Sequence, residues 1–238
     1  MLVNRVDRRI LKEQLQQETF KRKTISFYKY FDIADPVFFR NEIFRQWSEF
    51  NCFGRIYVAY EGINAQMSVP EHHFDAFMKY LYSIPELNQV PIKYAVEDDG
   101  KSFYKLTIKV RPKIVADGLA HGTYDLSKVG RHLSALEFHN ALDEPDTIVI
   151  DMRNHYESEI GHFKNAYCPD VDTFREEIQM VMDEFQDQKD KKFLLYCTGG
   201  VRCEKASSFM LHHGFENVNQ LYGGIIEYAR QVKELNLE

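Results

Sequence analysis

The order of strand and helix signals along the chain predicts an α/β protein with two domains, a ferredoxin-like α+β domain followed by a doubly wound parallel sheet. The 238 residues exceed the usual size of one domain, and 44% of them are hydrophobic, enough for two modest cores. The first half has the signal order strand, helix, strand, strand, helix, strand. We therefore divide the chain into a basic N-terminal segment at 1–20, a ferredoxin-like domain at 21–115, a linker at 116–130 and a second domain at 131–238.

The elements of the first half follow from residue type and spacing. The stretch TISFYKYFDI is β-branched and aromatic, and the helix after it opens with an Asp-Pro start. RIYVAY and NAQMSV flank EGIN, which is typical of a hairpin turn. Phe74, Phe77, Met78 and Leu81 share one face of a second helix. The predicted elements are strand 24–33, helix 35–51, strands 55–60 and 64–69, helix 71–83 and strand 91–97.

An additional strand at 103–111 has two chemically different faces. Tyr104, Leu106, Ile108 and Val110 alternate with the polar residues Lys105, Thr107, Lys109 and Arg111. The basic face is a candidate RNA contact through Lys105, Lys109 and Arg111, with Tyr57 as a ring that could stack on a loop base. Residues 1–30 contain eight basic and three acidic residues and are a second candidate source of positive charge for RNA binding. An ordinary solvated sheet face and a solvated N-terminal helix are the alternatives.

The second half predicts the doubly wound sheet. The stretch 113–133 lacks periodicity and contains three glycines, so it separates the domains. TIVIDMR and KFLLYC are short apolar runs, as expected for buried parallel strands. Active sites in such sheets lie beyond the carboxyl ends of the strands, where Asp151, Arg153 and Cys197 fall. The remaining elements are strands 147–153, 192–197 and 218–224 and helices 173–185, 204–213 and 225–235.

The segment that follows the second of these strands has the pattern of an anion-binding loop. Gly199 and Gly200 allow successive backbone N–H groups to turn inward at the start of a helix, with Cys197 at the base. That positive field and Arg202 favour the thiolate, so Cys197 is expected to have a lowered pKa and to be nucleophilic. The active-site loop comprises Thr198, Gly199, Gly200, Val201, Arg202 and Cys203. A buried core cysteine is the alternative interpretation.

Composition restricts the partners and the compartment. The net charge of −6 disfavours indiscriminate nucleic-acid binding, and no DNA partner is expected. No apolar stretch approaches the roughly 18 residues of a membrane span, and the N-terminus is charged where a secretory signal is apolar. The four cysteines, 52, 168, 197 and 203, lack paired C-x-x-C spacing, so neither a zinc site nor a disulfide framework is predicted. We expect a cytoplasmic protein without a membrane partner; the sequence leaves its oligomeric state open.

The length of the loop separates two cysteine chemistries. Cysteine-dependent phosphatases place five residues between cysteine and arginine, whereas four separate Cys197 from Arg202. The shorter loop resembles that of rhodaneses, which carry sulfur as a cysteine persulfide. IDMRNHYESEIGHFKNA resembles the rhodanese Asp-x-Arg signature with its later Glu and Gly-His. The resemblance therefore implies a rhodanese-like fold for the second domain.

Further segments narrow the resemblance to one family. The chain resembles the rhodanese-domain tRNA uridine hydroxylases, called TrhO, over nearly its whole length. The segments that carry this resemblance are FGRIYVAYEGINAQMSVP, DDGKSF, KIVADG, YCTGGVRCEKAS and GGIIEYAR. This implies oxygen-dependent formation of 5-hydroxyuridine at the tRNA wobble position, with Cys197 as the active-site residue. Many members continue into a cysteine-rich tail, whereas this chain ends at Glu238.

The chemistry at the cysteine leaves alternatives open. A thiolate that adds to C6 of uridine generates an enolate that can capture an electrophilic oxygen at C5; a route through peroxide or a persulfide would use the same residue. No cofactor is evident, so molecular oxygen is the expected co-substrate with an unidentified reductant. Asp151 and Arg153 either form an ion pair or meet a phosphate, and Cys203 either resolves an oxidised Cys197 or fills its helix turn. A sulfurtransferase and a noncatalytic RNA- or protein-binding module are the alternative functions.

Overall fold

The computed structural model describes residues 6–95, 100–120 and 123–235. The chain divides into two compact units, Met1–Ile114 and Val115–Glu238. Arg5 of the basic segment, Val96 and Glu97 of the predicted strand 91–97, and Asp98 and Asp99 of DDGKSF lie outside the described residues. No helix in the described part of the chain is both long enough and apolar enough to cross a membrane.

A five-stranded sheet forms the first unit, in the order β4-β1-β3-β2-β5. Neighbouring strands are antiparallel except for β2 and β5, which are parallel. The first four strands have the ferredoxin-like order, so this part of the fold prediction is confirmed. The strands are β1 (Arg22–Tyr30), β2 (Phe53–Ala59), β3 (Gly62–Pro70), β4 (Lys93–Tyr94) and β5 (Leu106–Val110).

Two helices cover one face of this sheet, and a third precedes it. Asp35 starts α2 because its carboxylate accepts hydrogen bonds from the backbone N–H groups of Val37 and Phe38. Trp47 of α2 and Phe77 of α3 pack edge to face in the core. The opposite sheet face therefore points away from α2 and α3. The helices are α1 (Arg8–Gln17), α2 (Pro36–Glu49) and α3 (Glu71–Ser83).

A four-stranded parallel sheet forms the second unit, in the order β6-β9-β8-β7. One core joins this sheet to α6 and α7, and another joins it to α4 and α8, so both faces carry helices as a doubly wound sheet requires. The strands are β6 (Arg131–Leu133), β7 (Thr147–Asp151), β8 (Lys192–Tyr196) and β9 (Asn217–Leu221). The helices are α4 (Ala135–Leu142), α5 (His155–Ser158), α6 (Phe174–Glu184), α7 (Val201–His212) and α8 (Gly224–Leu235).

The structure adds elements that the sequence analysis did not predict. The edge strand β6 occupies the end of the stretch 113–133, where no periodicity is visible, because its three residues are too few to show one. Helices α4 and α5 were also not predicted. Within the predicted linker, Asp117 is fully buried and forms an ion pair of 2.6 Å with Lys205 of α7. These residues are therefore part of the packed structure of the second unit.

Candidate active site

The cysteine loop lies where β8 ends and α7 begins. Gly200, at the N-cap of α7, has a φ of +98°, a left-handed conformation that a side chain would strain. Its backbone N–H donates to Sγ of Cys197 across 3.0 Å. Only 1% of Cys197 is exposed. The loop therefore surrounds the sulfur with donors at the amino end of a helix.

These surroundings stabilise the thiolate. Burial opposes ionisation of Cys197, but a hydrogen bond from Cys203, the charge of Arg202 and the backbone N–H groups of both residues outweigh it and lower its pKa to about 5. Most of the Cys197 side chains are therefore ionised at neutral pH. Ionisation makes the sulfur a strong nucleophile, as the sequence analysis expects.

Cys203 lies in the first turn of α7 and is fully buried. Burial and the hydrogen bond to Cys197 raise its pKa well above the ordinary value of a thiol. Cys203 therefore stays protonated and donates its S–H to the thiolate. All four cysteines of the chain are free thiols.

Glu157 of α5 fixes both ends of the loop. One carboxylate oxygen accepts a hydrogen bond of 2.6 Å from the Thr198 hydroxyl, and the other lies 2.7 Å from Nη2 of Arg202. Nη1 of Arg202 donates to the Met152 carbonyl across 3.2 Å. The cation that faces the thiolate is thus held in place by a carboxylate and a backbone carbonyl.

Arg202→Ala is expected to slow alkylation of Cys197 by iodoacetamide. The change removes the positive charge beside the sulfur. It also leaves the negative charge of Glu157 without its ion-pair partner. Both effects raise the pKa of Cys197 above about 5. The rate at pH 6 should fall by roughly tenfold for each unit by which the pKa rises above the pH. Peptide mass spectrometry gives the rate at this cysteine.

The same reaction at pH 9 is the control, because both proteins are then largely ionised and should react at similar rates. Equal alkylation rates of wild type and Arg202→Ala at pH 6 would mean that the Cys203 thiol and the loop N–H groups alone stabilise the Cys197 thiolate.

Asp151 and Arg153 form a buried ion pair at the carboxyl end of β7. Nε and Nη2 of Arg153 lie 2.8 and 2.6 Å from the two carboxylate oxygens of Asp151. Nη2 also donates to the Gly161 carbonyl, and the Tyr196 hydroxyl donates to Asp151 across 2.7 Å. The guanidinium is occupied by these partners, which favours the structural role over a contact with an incoming phosphate.

Glu177 is a buried carboxyl group that the sequence analysis missed. It lies on α6, has no exposed surface, and neither of its oxygens has a hydrogen-bond partner among the described residues. Burial raises its pKa to about 9; the charge of Arg202 opposes this rise, and Asp151, Cys197 and Glu157 add to it. Glu177 is therefore a neutral acid close to the ionised loop. Its position in the apolar stripe of Phe174, Ile178 and Val181 was the available signal.

Glu177→Gln is expected to stabilise the protein at alkaline pH. Folding raises the pKa of this carboxyl from 4.5 to about 9. The free energy of unfolding is therefore highest below pH 4.5 and falls as the pH rises toward 9, because the unfolded chain loses this proton first. Glutamine has nearly the same shape and does not titrate. We expect equal free energies of unfolding near pH 4 and an advantage for the variant on the order of 4–5 kcal/mol at pH 8, because each pH unit above 4.5 costs the wild type about 1.4 kcal/mol; urea denaturation measures both.

Glu184→Gln is the matched control, because Glu184 is an exposed carboxylate on the same helix. If the difference between Glu177→Gln and wild type does not change with pH, Glu177 is ionised in the folded protein.

The predicted RNA contacts all lie on the first unit, and three of them, Tyr57, Lys109 and Arg111, lie close together. Tyr57 and Lys109 are register partners on β2 and β5, and the Arg111 guanidinium carbon is 5.9 Å from the centre of the Tyr57 ring. Lys109 and Arg111 are exposed and Lys105 is half-buried. Arg8 and Lys12 of α1 and Lys105 lie within 5.6 to 5.9 Å of the centre of the Tyr104 ring. The structure thus brings the basic strand together with part of the basic N-terminal segment.

Each unit matches a known protein family. Residues 22–114 match the UPF0176 acylphosphatase like domain, and residues 134–231 match the Rhodanese-like domain. A rhodanese-like domain protein of known structure from Staphylococcus aureus is 20% identical, with a TM-score of 0.35 over 41% of this chain and 90% of that chain.

Relatives also match over the entire length of the chain. The tRNA uridine(34) hydroxylase of Photorhabdus laumondii is 52% identical over 238 residues, which are 100% of this chain and 68% of the relative. The tRNA uridine(34) hydroxylase of Pectobacterium atrosepticum is also 52% identical over 238 residues, which are 67% of that relative. The similarity therefore covers both units and the cysteine loop.

Proposed function

This chain belongs to the tRNA uridine(34) hydroxylase family, and we propose that it converts uridine 34 of tRNA, the wobble nucleotide, to 5-hydroxyuridine. The observation that carries this function is the 52% identity over 100% of the chain, which includes both units. The two domain matches agree with it. Because the proposed substrate is tRNA, we also propose that the protein acts in the cytoplasm.

We infer that Cys197 is the nucleophile. Carbon 5 of uracil reacts poorly with electrophiles until a nucleophile adds to C6, and the ionised sulfur can form that bond. The enolate that results attacks an electrophilic oxygen through C5. Loss of the C5 proton and departure of the thiolate from C6 then restore the pyrimidine ring. Because the sulfur is almost fully buried, the reacting atoms have to enter the loop that surrounds it.

The transferred oxygen comes from molecular oxygen in this proposal. O₂ accepts two electrons and two protons from a two-electron reductant and becomes a peroxide. One peroxide oxygen goes to C5, and the other leaves as water. A preformed peroxide would enter at the same step, and a persulfide on Cys197 is the alternative form of the reactive sulfur.

The residues around Cys197 have supporting roles in this reaction. Arg202 and Cys203 stabilise the thiolate both before it adds and after it leaves C6, and Glu157 positions Arg202. The Asp151–Arg153 pair orders the end of β7 beside them. Thr198, Gly199, Gly200 and Val201 supply the loop backbone.

We further propose that the first unit holds the tRNA through Lys105, Lys109, Arg111 and Tyr57. Phosphate contacts supply much of the affinity for RNA, and these cations have no carboxylate partner in the described part of the chain. A sulfurtransferase that passes sulfur to a small acceptor has no use for such a surface. For this reason, and because the relatives are named as hydroxylases, the sulfurtransferase function is not favoured.

Incubation of the purified protein with unmodified tRNA, O₂ and a thiol reductant, followed by mass spectrometry of the nucleosides, tests the function. We expect 5-hydroxyuridine to form, with one oxygen from ¹⁸O₂ in each product. Label from H₂¹⁸O instead would exclude O₂ as the source. Thiolated uridine without hydroxylation would identify a sulfurtransferase.

A further inference from the structure

The exposed face of the first sheet has a surface composition unlike that of the whole chain. The five strands of the first unit contain no aspartate or glutamate, whereas the protein has 36 such residues and a net charge of −6. The face that points away from α2 and α3 carries Arg55 and Lys109 as exposed cations. Strands that carry only positive charges, on an acidic protein, form a face that is complementary to a polyanion.

One row of side chains crosses this face from strand to strand. Tyr28 of β1 pairs with Asn64 of β3, Asn64 pairs with Tyr57 of β2, and Tyr57 pairs with Lys109 of β5. Register partners point to the same face of a sheet, so the four side chains form a line. With a strand spacing of about 4.8 Å, the two tyrosines are separated by about 10 Å, with an amide between them.

Each tyrosine ring has a cation beside it. The Lys93 amine lies 4.9 Å from the centre of the Tyr28 ring, and the Arg111 guanidinium carbon lies 5.9 Å from the centre of the Tyr57 ring. Both tyrosines are half-buried. A ring with an adjacent cation suits a nucleotide, because the base stacks on the ring while the phosphate meets the charge.

We propose that Tyr28 and Tyr57 stack two unpaired bases of the tRNA anticodon loop, with Asn64 hydrogen-bonded to a base between them. The anticodon loop is the favoured segment because stacking on a side chain needs bases that are free of a duplex, and the substrate uridine lies in that loop. This inference rests on the proposed function. It adds Tyr28, Asn64 and Lys93 to the RNA contacts and assigns base recognition, besides phosphate binding, to the first unit.

The test measures binding of the whole protein to an anticodon stem–loop by fluorescence anisotropy. Tyr28→Ala and Tyr57→Ala should each weaken binding by roughly 5- to 150-fold, and the dependence on salt should not change because no charge is lost. Tyr57→Phe keeps the ring and should keep the affinity. Phe38→Ala is the matched control, because Phe38 is an aromatic residue on α2 that is 64% exposed and should not matter.

A second measurement uses only the wild-type protein, so it does not depend on whether the variants fold. Stem–loops with abasic sites introduced one by one in the loop should bind more weakly at three positions, those of the two stacked bases and of the base that Asn64 contacts. A duplex of the same length without a loop should compete poorly. Full affinity of the alanine variants and of every abasic stem–loop, or equal competition by the duplex, would overturn the proposal in favour of phosphate contacts alone.

The hydroxylation assay distinguishes this failure from failure of the proposed function. If wild-type protein hydroxylates tRNA while the alanine variants bind the stem–loop normally, only the stacking surface is wrong. If wild-type protein does not hydroxylate tRNA at all, the proposed function is wrong, whatever the binding results.

Discussion

Cys197→Ser is expected to abolish hydroxylation of tRNA, with a loss of roughly 10³-fold or more in the rate. Serine has nearly the same shape as cysteine, but its hydroxyl remains protonated in surroundings that ionise a thiol with a pKa of about 5. The loop should keep its structure, because the hydrogen bonds that Glu157 accepts from Thr198 and Arg202 do not involve the sulfur. Single-turnover reactions followed by nucleoside mass spectrometry measure the rate.

Cys168→Ser is the matched control, because Cys168 is a half-buried cysteine of the same unit that lies outside the loop. This variant should keep the wild-type rate. Both variants should bind tRNA as wild type does, since affinity is expected to depend on the basic face of the first unit. Wild-type hydroxylation by Cys197→Ser would remove the sulfur from the mechanism and leave the loop only a binding role.

The sequence predicted the parts of the fold that have long periodic patterns. Helices α2, α3 and α6 show apolar residues at helical spacing, and β7 and β8 are continuous apolar runs, so each was predicted within a few residues. The missed helix α4 also had a local signal. Ser134 and Glu137 form a capping box, which is visible in the sequence as S-x-x-E immediately after the aperiodic stretch 113–133.

The candidate site was predictable only where its residues are adjacent in sequence. The glycines, Cys197 and Arg202 lie in one short segment, so their chemistry follows from the spacing. The contact of Glu157 with Arg202 joins residues 45 positions apart, and nothing local to either residue specifies it. The pairing of Asp117 with Lys205 spans 88 positions and depends on the tertiary fold in the same way.

Replacement of Lys105, Lys109 and Arg111 by alanine together is expected to weaken tRNA binding and to flatten its dependence on salt. Each cation that neutralises a phosphate contributes up to about one unit to the slope of log affinity against log salt concentration, so the variant should lose up to about three units. The side chains of Lys109 and Arg111 are exposed, so their removal should leave the core intact. Filter binding of tRNA from low to high salt measures both quantities.

A control variant removes three cations from other elements, Arg45 and Lys79 on α2 and α3 and Lys128 in the second unit, all of them exposed. Because it lowers the net charge by the same amount, it separates the position of the charges from their number. Alkylation of Cys197 should be unchanged in both variants, since the loop is built from the second unit alone. If the two variants lose affinity equally, tRNA responds only to the net charge, and the basic face is a solvated sheet surface.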